Sequence, residues 1–119
     1  MTAFQIILVS LIALIHVYIL ILEMFFWTSE KGMKAFGLKS KDFAEDTKVL
    51  AANQGLYNGF LAAGLFWSLY TNDTNLALFF VLCVFTAGIY GAYSTQKIKI
   101  LFIQSLPALL ALFALWIHR

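Results

Sequence analysis

This chain has little charge and almost none of the residues that staple or punctuate a small soluble domain. Of its 119 residues, 12% are charged, where a globular domain carries about 25%. Its one cysteine, Cys83, excludes an intramolecular disulfide, and its place inside an apolar run reads as a small core residue with no redox role. Its one proline, Pro107, leaves long helices nearly uninterrupted. A formal net charge of +2, with the lysines confined between apolar runs, excludes nucleic-acid binding. Catalytic signatures are missing as well: there is no HExxH, no CxxC pair, no GxSxG turn and no glycine loop to cradle phosphate. No metal and no cofactor are expected, since a single intramembrane His and Glu two helical turns apart cannot share an ion without further ligands.

What is present is apolar: 62% hydrophobic residues and a mean hydropathy of +0.87. Lipid is the solvent such a chain needs. Its length accommodates four spans of about 20 residues and little else, which predicts an all-α integral membrane four-helix bundle forming a single membrane domain over 1–119. The spans are expected at about 3–27, 49–70, 76–93 and 100–117. Trp27 marks one interface, and Trp67 with Tyr70 marks the other. The N-terminal run is expected to remain attached, because it lacks a positive leader and is followed by Phe25, Phe26 and Trp27 instead of a small-residue cleavage site.

The connection 28–48 is the only long one. It holds five lysines and four acids around Met33, Phe36, Leu38 and Phe43, a pattern that predicts a short segment lying on the membrane surface. Ser40 reads as an N-cap with Asp42 in the first turn, so the second helix begins in water before entering lipid. Within that helix Gly55 and Gly59 form a GxxxG, extended by Ala62 and Ala63, that lets a neighbour approach closely. Thr71 to Asn75 is a short turn that makes the second and third helices antiparallel neighbours. Pro107 predicts a kink, since it lacks an N–H and crowds the carbonyl of Ile103. Lysines and arginines number five and two in the loops after the first and third spans, none in the N-terminal tail and second loop, and one, Arg119, at the C-terminus. Seven against one predicts that the lysine-rich loop faces the cytoplasm and that both termini face outward, away from it.

Two ionisable groups interrupt the first span. Seven residues at about 100° each fall within about 20° of two full turns, so His16 and Glu23 share one face, about 10.5 Å apart along the axis. Each costs at least about 2.5 kcal/mol in hydrocarbon on insertion scales, so this face is expected to turn inward to partners. Depth counting from the cytoplasmic interface places Glu23, Asn53, Gln54, Tyr90 and Gln104 at one level, with Asn58 and then His16 progressively deeper. The expected result is a polar pocket in the cytoplasmic leaflet. A low-dielectric setting disfavours the charged forms of Glu23 and His16, and such a pair suits proton transfer or recognition of a cationic amphiphile. Structural glue is the alternative for the amides and tyrosines, each hydrogen bond worth about 0.6 kcal/mol.

Four phrases together carry a resemblance: His16-Val-Tyr-Ile-Leu-Ile-Leu-Glu23-Met24-Phe25, Asn53-Gln54-Gly55-Leu-Tyr57-Asn58-Gly59-Phe60-Leu-Ala-Ala-Gly64, Ala87-Gly88-Ile-Tyr90-Gly91 and Gln104-Ser105-Leu106-Pro107-Ala108. Over nearly its whole length the chain resembles the family of small, mostly bacterial, integral membrane proteins known as domain of unknown function 1304. That resemblance implies a four-helix membrane protein and supplies no activity and no functional residue. Similarity to small multidrug transporters, which use a Glu in their first span, and to sterol-isomerase-like bundles, which pair intramembrane His and Glu, extends to general features alone.

The leading expectation is binding of a small lipophilic or amphiphilic molecule, with Glu23 as base or counter-ion, His16 as acid or second donor, and Asn53, Gln54, Tyr57, Asn58, Tyr90 and Gln104 lining the site. The alternatives are a proton-coupled exporter acting as a homo-oligomer and a non-catalytic scaffold. Membrane lipid is the surrounding partner in all three.

Overall fold

The computed structural model describes residues 1–118. Among them the ordered structure is helical with no strand: α1 (Ala3–Phe25), α2 (Glu30–Phe36), α3 (Lys41–Thr71), α4 (Thr74–Thr95), α5 (Ile98–Ile100), a π-helical turn (Leu101–Ser105) and α6 (Leu106–Ile117). Ala3–Phe25, Thr74–Thr95 and the continuous run Ile98–Ile117 are each long and apolar enough to cross a membrane. They carry large apolar side chains outward, among them Ile7, Phe79 and Phe113. A soluble monomer rarely exposes so much contiguous apolar surface, whereas lipid covers it without cost.

The connection expected over 28–48 is largely helical. Ser29 caps α2 by accepting from the Gly32 N–H at 3.1 Å, and Gly37, at φ 61°, ends it in the left-handed region open to glycine. α3 starts at Lys41, eight residues before the span expected from 49, because Ser40 accepts from the Phe43 N–H at 3.0 Å and Asp42 occupies the first turn. Charged residues that lower the hydropathy of 41–48 are therefore the wet beginning of a 31-residue helix.

The described residues fall into two compact units whose limits lie inside α1 and α3. In the unit formed by 1–14 and 61–118, Val9, Ile12, Ala13, Leu65, Val81, Val84 and Leu115 are buried among the alanines Ala77, Ala108 and Ala111. Alanine at four of these positions lets the helices approach closely, the main source of association when lipid removes the hydrophobic drive. Thr2 and Gln5 cap α1 reciprocally: the Gln5 N–H donates to Thr2 Oγ1 at 3.2 Å and the Thr2 N–H to Gln5 Oε1 at 2.7 Å. Gln5 Nε2 then donates to the Ala114 carbonyl at 3.0 Å, tying α1 to the last turn of α6.

The disturbance expected at Pro107 is a π turn just before it. The Leu106 N–H reaches back to the Leu101 carbonyl, five residues earlier, and Pro107 sits where α6 begins and needs no donor. Ser105, buried in this turn, donates its hydroxyl to the Phe85 carbonyl at 3.1 Å. Gly88 leaves the room: a Cβ there would stand 2.9 Å from the Ser105 nitrogen and 3.0 Å from the Gln104 Cβ.

Candidate functional site

The unit formed by 15–60 contains the C-terminal half of α1, α2 and the first two-thirds of α3. Here the GxxxG of α3 meets α1. A Cβ on Gly55 would lie 2.6 Å from the Met24 Cγ, 3.1 Å from the Glu23 Cβ and 3.3 Å from the Leu20 carbonyl oxygen, and one on Gly59 would lie 2.6 Å from the Leu20 Cδ1. Residues 20, 23 and 24 occupy one face of α1, so the glycine stripe brings the α3 backbone against that face.

Gln54 and Asn58 stand one turn apart beside those glycines. Gln54 Nε2 donates to Glu23 Oε2 at 2.6 Å and Asn58 Nδ2 donates to Glu23 Oε1 at 2.6 Å, so each carboxylate oxygen receives one amide. Such bonds are about twice as strong when the carboxyl group is ionised as when it is neutral. Glu23 is 1% exposed, and among the described residues no lysine or arginine forms an ion pair with it; the two ion pairs found join Lys41 and Lys48 to Glu45 on the surface of α3. The site is thus a buried acid clasped by two neutral donors.

His16 is also 1% exposed, and it lies on the face of α1 that carries Leu20 and Glu23. An axial distance of about 10.5 Å keeps it out of hydrogen-bond reach of Glu23. Among the described residues, the other expected site residues form no hydrogen bond with Glu23. Asn53 is exposed on α3, and Tyr57, 61% exposed, stacks near Phe60 at a centroid distance of 6.1 Å. Tyr90 and Gln104 belong to the other unit, where Tyr90 is exposed on α4 and Gln104 is half-buried in the π turn next to Gly88. Among the described residues no three His, Cys, Asp or Glu side chains converge as metal ligands.

The turn beyond α1 holds contacts that residue types alone did not point to. Trp27 Nε1 donates to Thr47 Oγ1 at 3.0 Å, and its ring meets that of Phe36 at 4.9 Å. Gly32 is the buried residue of α2, because any Cβ there would run into the Phe26 carbonyl. The spacing Trp27 to Gly32 to Phe36 carried no recognisable pattern, whereas the Thr2-x-x-Gln5 capping box was a sequence signature in plain view.

Comparison with known proteins sets this geometry in a family. The chain is 31% identical over 115 residues to uncharacterized protein YpaA of Lactococcus lactis subsp. lactis (strain IL1403), covering 94% of this chain and 96% of that one. No solved structure matches it. Residues 10–116 match the family described as protein of unknown function (DUF1304), a stretch that includes Glu23, Gln54, Asn58 and both glycines of the clasp, and the chain belongs to that family.

Proposed function

We propose that this protein binds a small lipophilic or amphiphilic cation within the membrane, with Glu23 as counter-ion and proton acceptor, Gln54 and Asn58 holding its carboxylate in place, and His16 as a second donor deeper in the span. The observation that carries the reading is a carboxyl group at 1% exposure whose hydrogen-bond partners among the described residues are two uncharged amides, each at 2.6 Å. Neutral donors lower the cost of burying the charge without cancelling it, and an amide at position 23 would join the helices without that cost. A ligand cation completes the balance by opening the clasp on one side, and a proton completes it when the ligand leaves.

The architecture that accompanies this reading has α3 as a fourth crossing, both termini outside a bacterial inner membrane and the lysine-rich segment 28–48 in the cytoplasm. Support comes from the charge asymmetry and from Trp67 and Tyr70 near the end of α3. Arg119, the single cation counted on the outer side, lies outside the described residues. The number of crossings has a parity that can be read directly. On a Cys83→Ser background, Thr2→Cys and His118→Cys react with an impermeant maleimide in intact cells and Lys39→Cys reacts only after permeabilisation; opposite labelling of the two ends leaves α3 outside the set of crossings.

The binding test uses tritiated tetraphenylphosphonium, a lipophilic cation, with purified protein in detergent. Saturable binding that disappears in Glu23→Gln, with helicity and monodispersity retained, is the expected result. Absence of saturable binding, together with native mass spectra free of copurified small molecules, overturns it. A second reading, the scaffold, is favoured by one observation: both oxygens of Glu23 already have partners in the same chain. It expects Glu23→Gln to lower thermal stability and no ligand to bind.

A further inference from the structure

A second feature of the 15–60 unit is independent of Glu23. An open groove of about 520 Å³ lies between α2 and the start of α3, with Glu30, Lys34 and Lys41 on its walls and Met33 and Leu38 between them. Its position is set by what surrounds it. α1 ends at Phe25, Trp27 follows with its indole N–H bonded to Thr47, and Gly32 seats α2 against the Phe26–Trp27 backbone. The groove therefore opens within a few residues of the point where an apolar helix long enough to span a membrane gives way to polar chain, the depth of lipid headgroups.

We infer that this groove binds the headgroup of an anionic, hydroxyl-bearing phospholipid of the phosphatidylglycerol type, with the phosphodiester between Lys34 and Lys41 and the headgroup hydroxyls donating to Glu30. The charge balance selects this class. Two ammonium groups and one carboxylate leave the walls with one net positive charge, complementary to one phosphodiester. Lys34 forms no ion pair among the described residues, and Lys41, which donates to the Thr28 carbonyl and stands 4.0 Å from Glu45, is held at the groove by the Thr28 backbone. A zwitterionic headgroup, choline or ethanolamine, carries no net charge and would leave the one net positive charge of the walls unbalanced, and a lone inorganic phosphate would leave Met33 and Leu38 uncovered. The glycerol backbone and first methylenes of a lipid cover those two side chains. Ammonium groups act as point charges on phosphate, and lysine suits a site that must follow a mobile headgroup.

The test is lipid retention by native mass spectrometry, after release of full-length protein from nanodiscs containing equal parts phosphatidylglycerol, phosphatidylethanolamine and phosphatidylcholine. Retained phosphatidylglycerol is expected in excess of the other two, and Lys34→Gln should lower its retention about fivefold, the share of one lysine near a lipid surface. Lys48→Gln removes the same charge from outside the groove, where Lys48 stands 3.2 Å from Glu45, and should leave retention unchanged. Equal losses in Lys34→Gln and Lys48→Gln overturn the proposal in favour of a diffuse surface field. So does retention without headgroup preference, or displacement of the lipid by excess inorganic phosphate. Circular dichroism on each variant separates lost binding from lost fold, and because none of these substitutions touches Glu23, the result is independent of the cation site.

Discussion

The Glu23 clasp makes a quantitative prediction through a double-mutant cycle of Glu23→Ala and Asn58→Ala. Hydrogen bonds to charged groups contribute about 1.5–3 kcal/mol in water-soluble proteins. Polar pairs between membrane helices average about 0.6 kcal/mol and reach about 1.7, because the unfolded chain in the membrane also finds partners. The Asn58 bond belongs near the upper membrane value, since it is 2.6 Å long and joins a 1% exposed carboxyl group to a half-buried amide. The expected coupling is about 1.5 kcal/mol, close to a factor of ten in the unfolding equilibrium. Gln54 makes a bond of the same length from an exposed position. Water or headgroups can replace its partner, so its coupling to Glu23 should be smaller, about 0.5 kcal/mol. Unfolding of the purified protein in mixed micelles, followed by loss of helicity, measures both cycles. A coupling with Asn58 indistinguishable from zero, or a larger coupling with Gln54, would refute the reasoning that burial sets the strength of this clasp.

Three further substitutions test the packing that places the clasp. Gly55→Ala should destabilise by about 1–2 kcal/mol in the same unfolding assay because its Cβ meets the Glu23 Cβ and the Leu20 carbonyl oxygen, whereas Gly59→Ala, which meets only the flexible end of Leu20, should stay within about 0.5 kcal/mol of the parent. Gly32→Ala pushes a methyl group into the Phe26 carbonyl and should detach α2, read as faster amide hydrogen exchange over 30–36 with protection over 51–60 unchanged. Ser105→Ala removes the hydroxyl that donates to the Phe85 carbonyl and should cost about 1 kcal/mol, measured as a lower midpoint of thermal unfolding.

Much of this was legible in the chain because membrane helices announce themselves by length and apolarity. Three of the expected spans reappear as helices displaced by about two residues at their ends, the ordinary uncertainty of helix boundaries. Ser40 was readable as a cap because its oxygen and the Phe43 N–H are local to each other. The GxxxG was readable as a close approach for the same kind of reason, a fixed one-turn spacing. Partner choice was less legible. Gln54 and Asn58 meet Glu23 while Asn53 and Tyr57, equally polar and equally near in sequence, turn outward, because a step of about 100° per residue decides the face and depth counting ignores it. Gly32 against Phe26 was invisible, since a glycine's fit depends on the backbone that arrives beside it.

The same residues explain why α3 stands apart from the three helices that pass on apolarity alone. Its stretch 49–70 contains Asn53, Gln54, Asn58 and three glycines, and each lowers the hydropathy of any window that contains it. Hydropathy charges every polar group as though it faced hydrocarbon. Gln54 and Asn58 instead spend a donor each on Glu23, and Gly55 and Gly59 lie against α1. The penalty counted against α3 and the penalty counted against Glu23 are thus two sides of one contact, and each is reduced by the other. A helix whose polar stripe answers a buried carboxyl group is expected to score as more polar than the surface it leaves uncovered. It follows that Glu23 and the amides of α3 should fail together: replacing Glu23 by an apolar residue strands the amides, and replacing the amides strands the acid, while changing both to leucine and alanine restores a helix pair that packs without either.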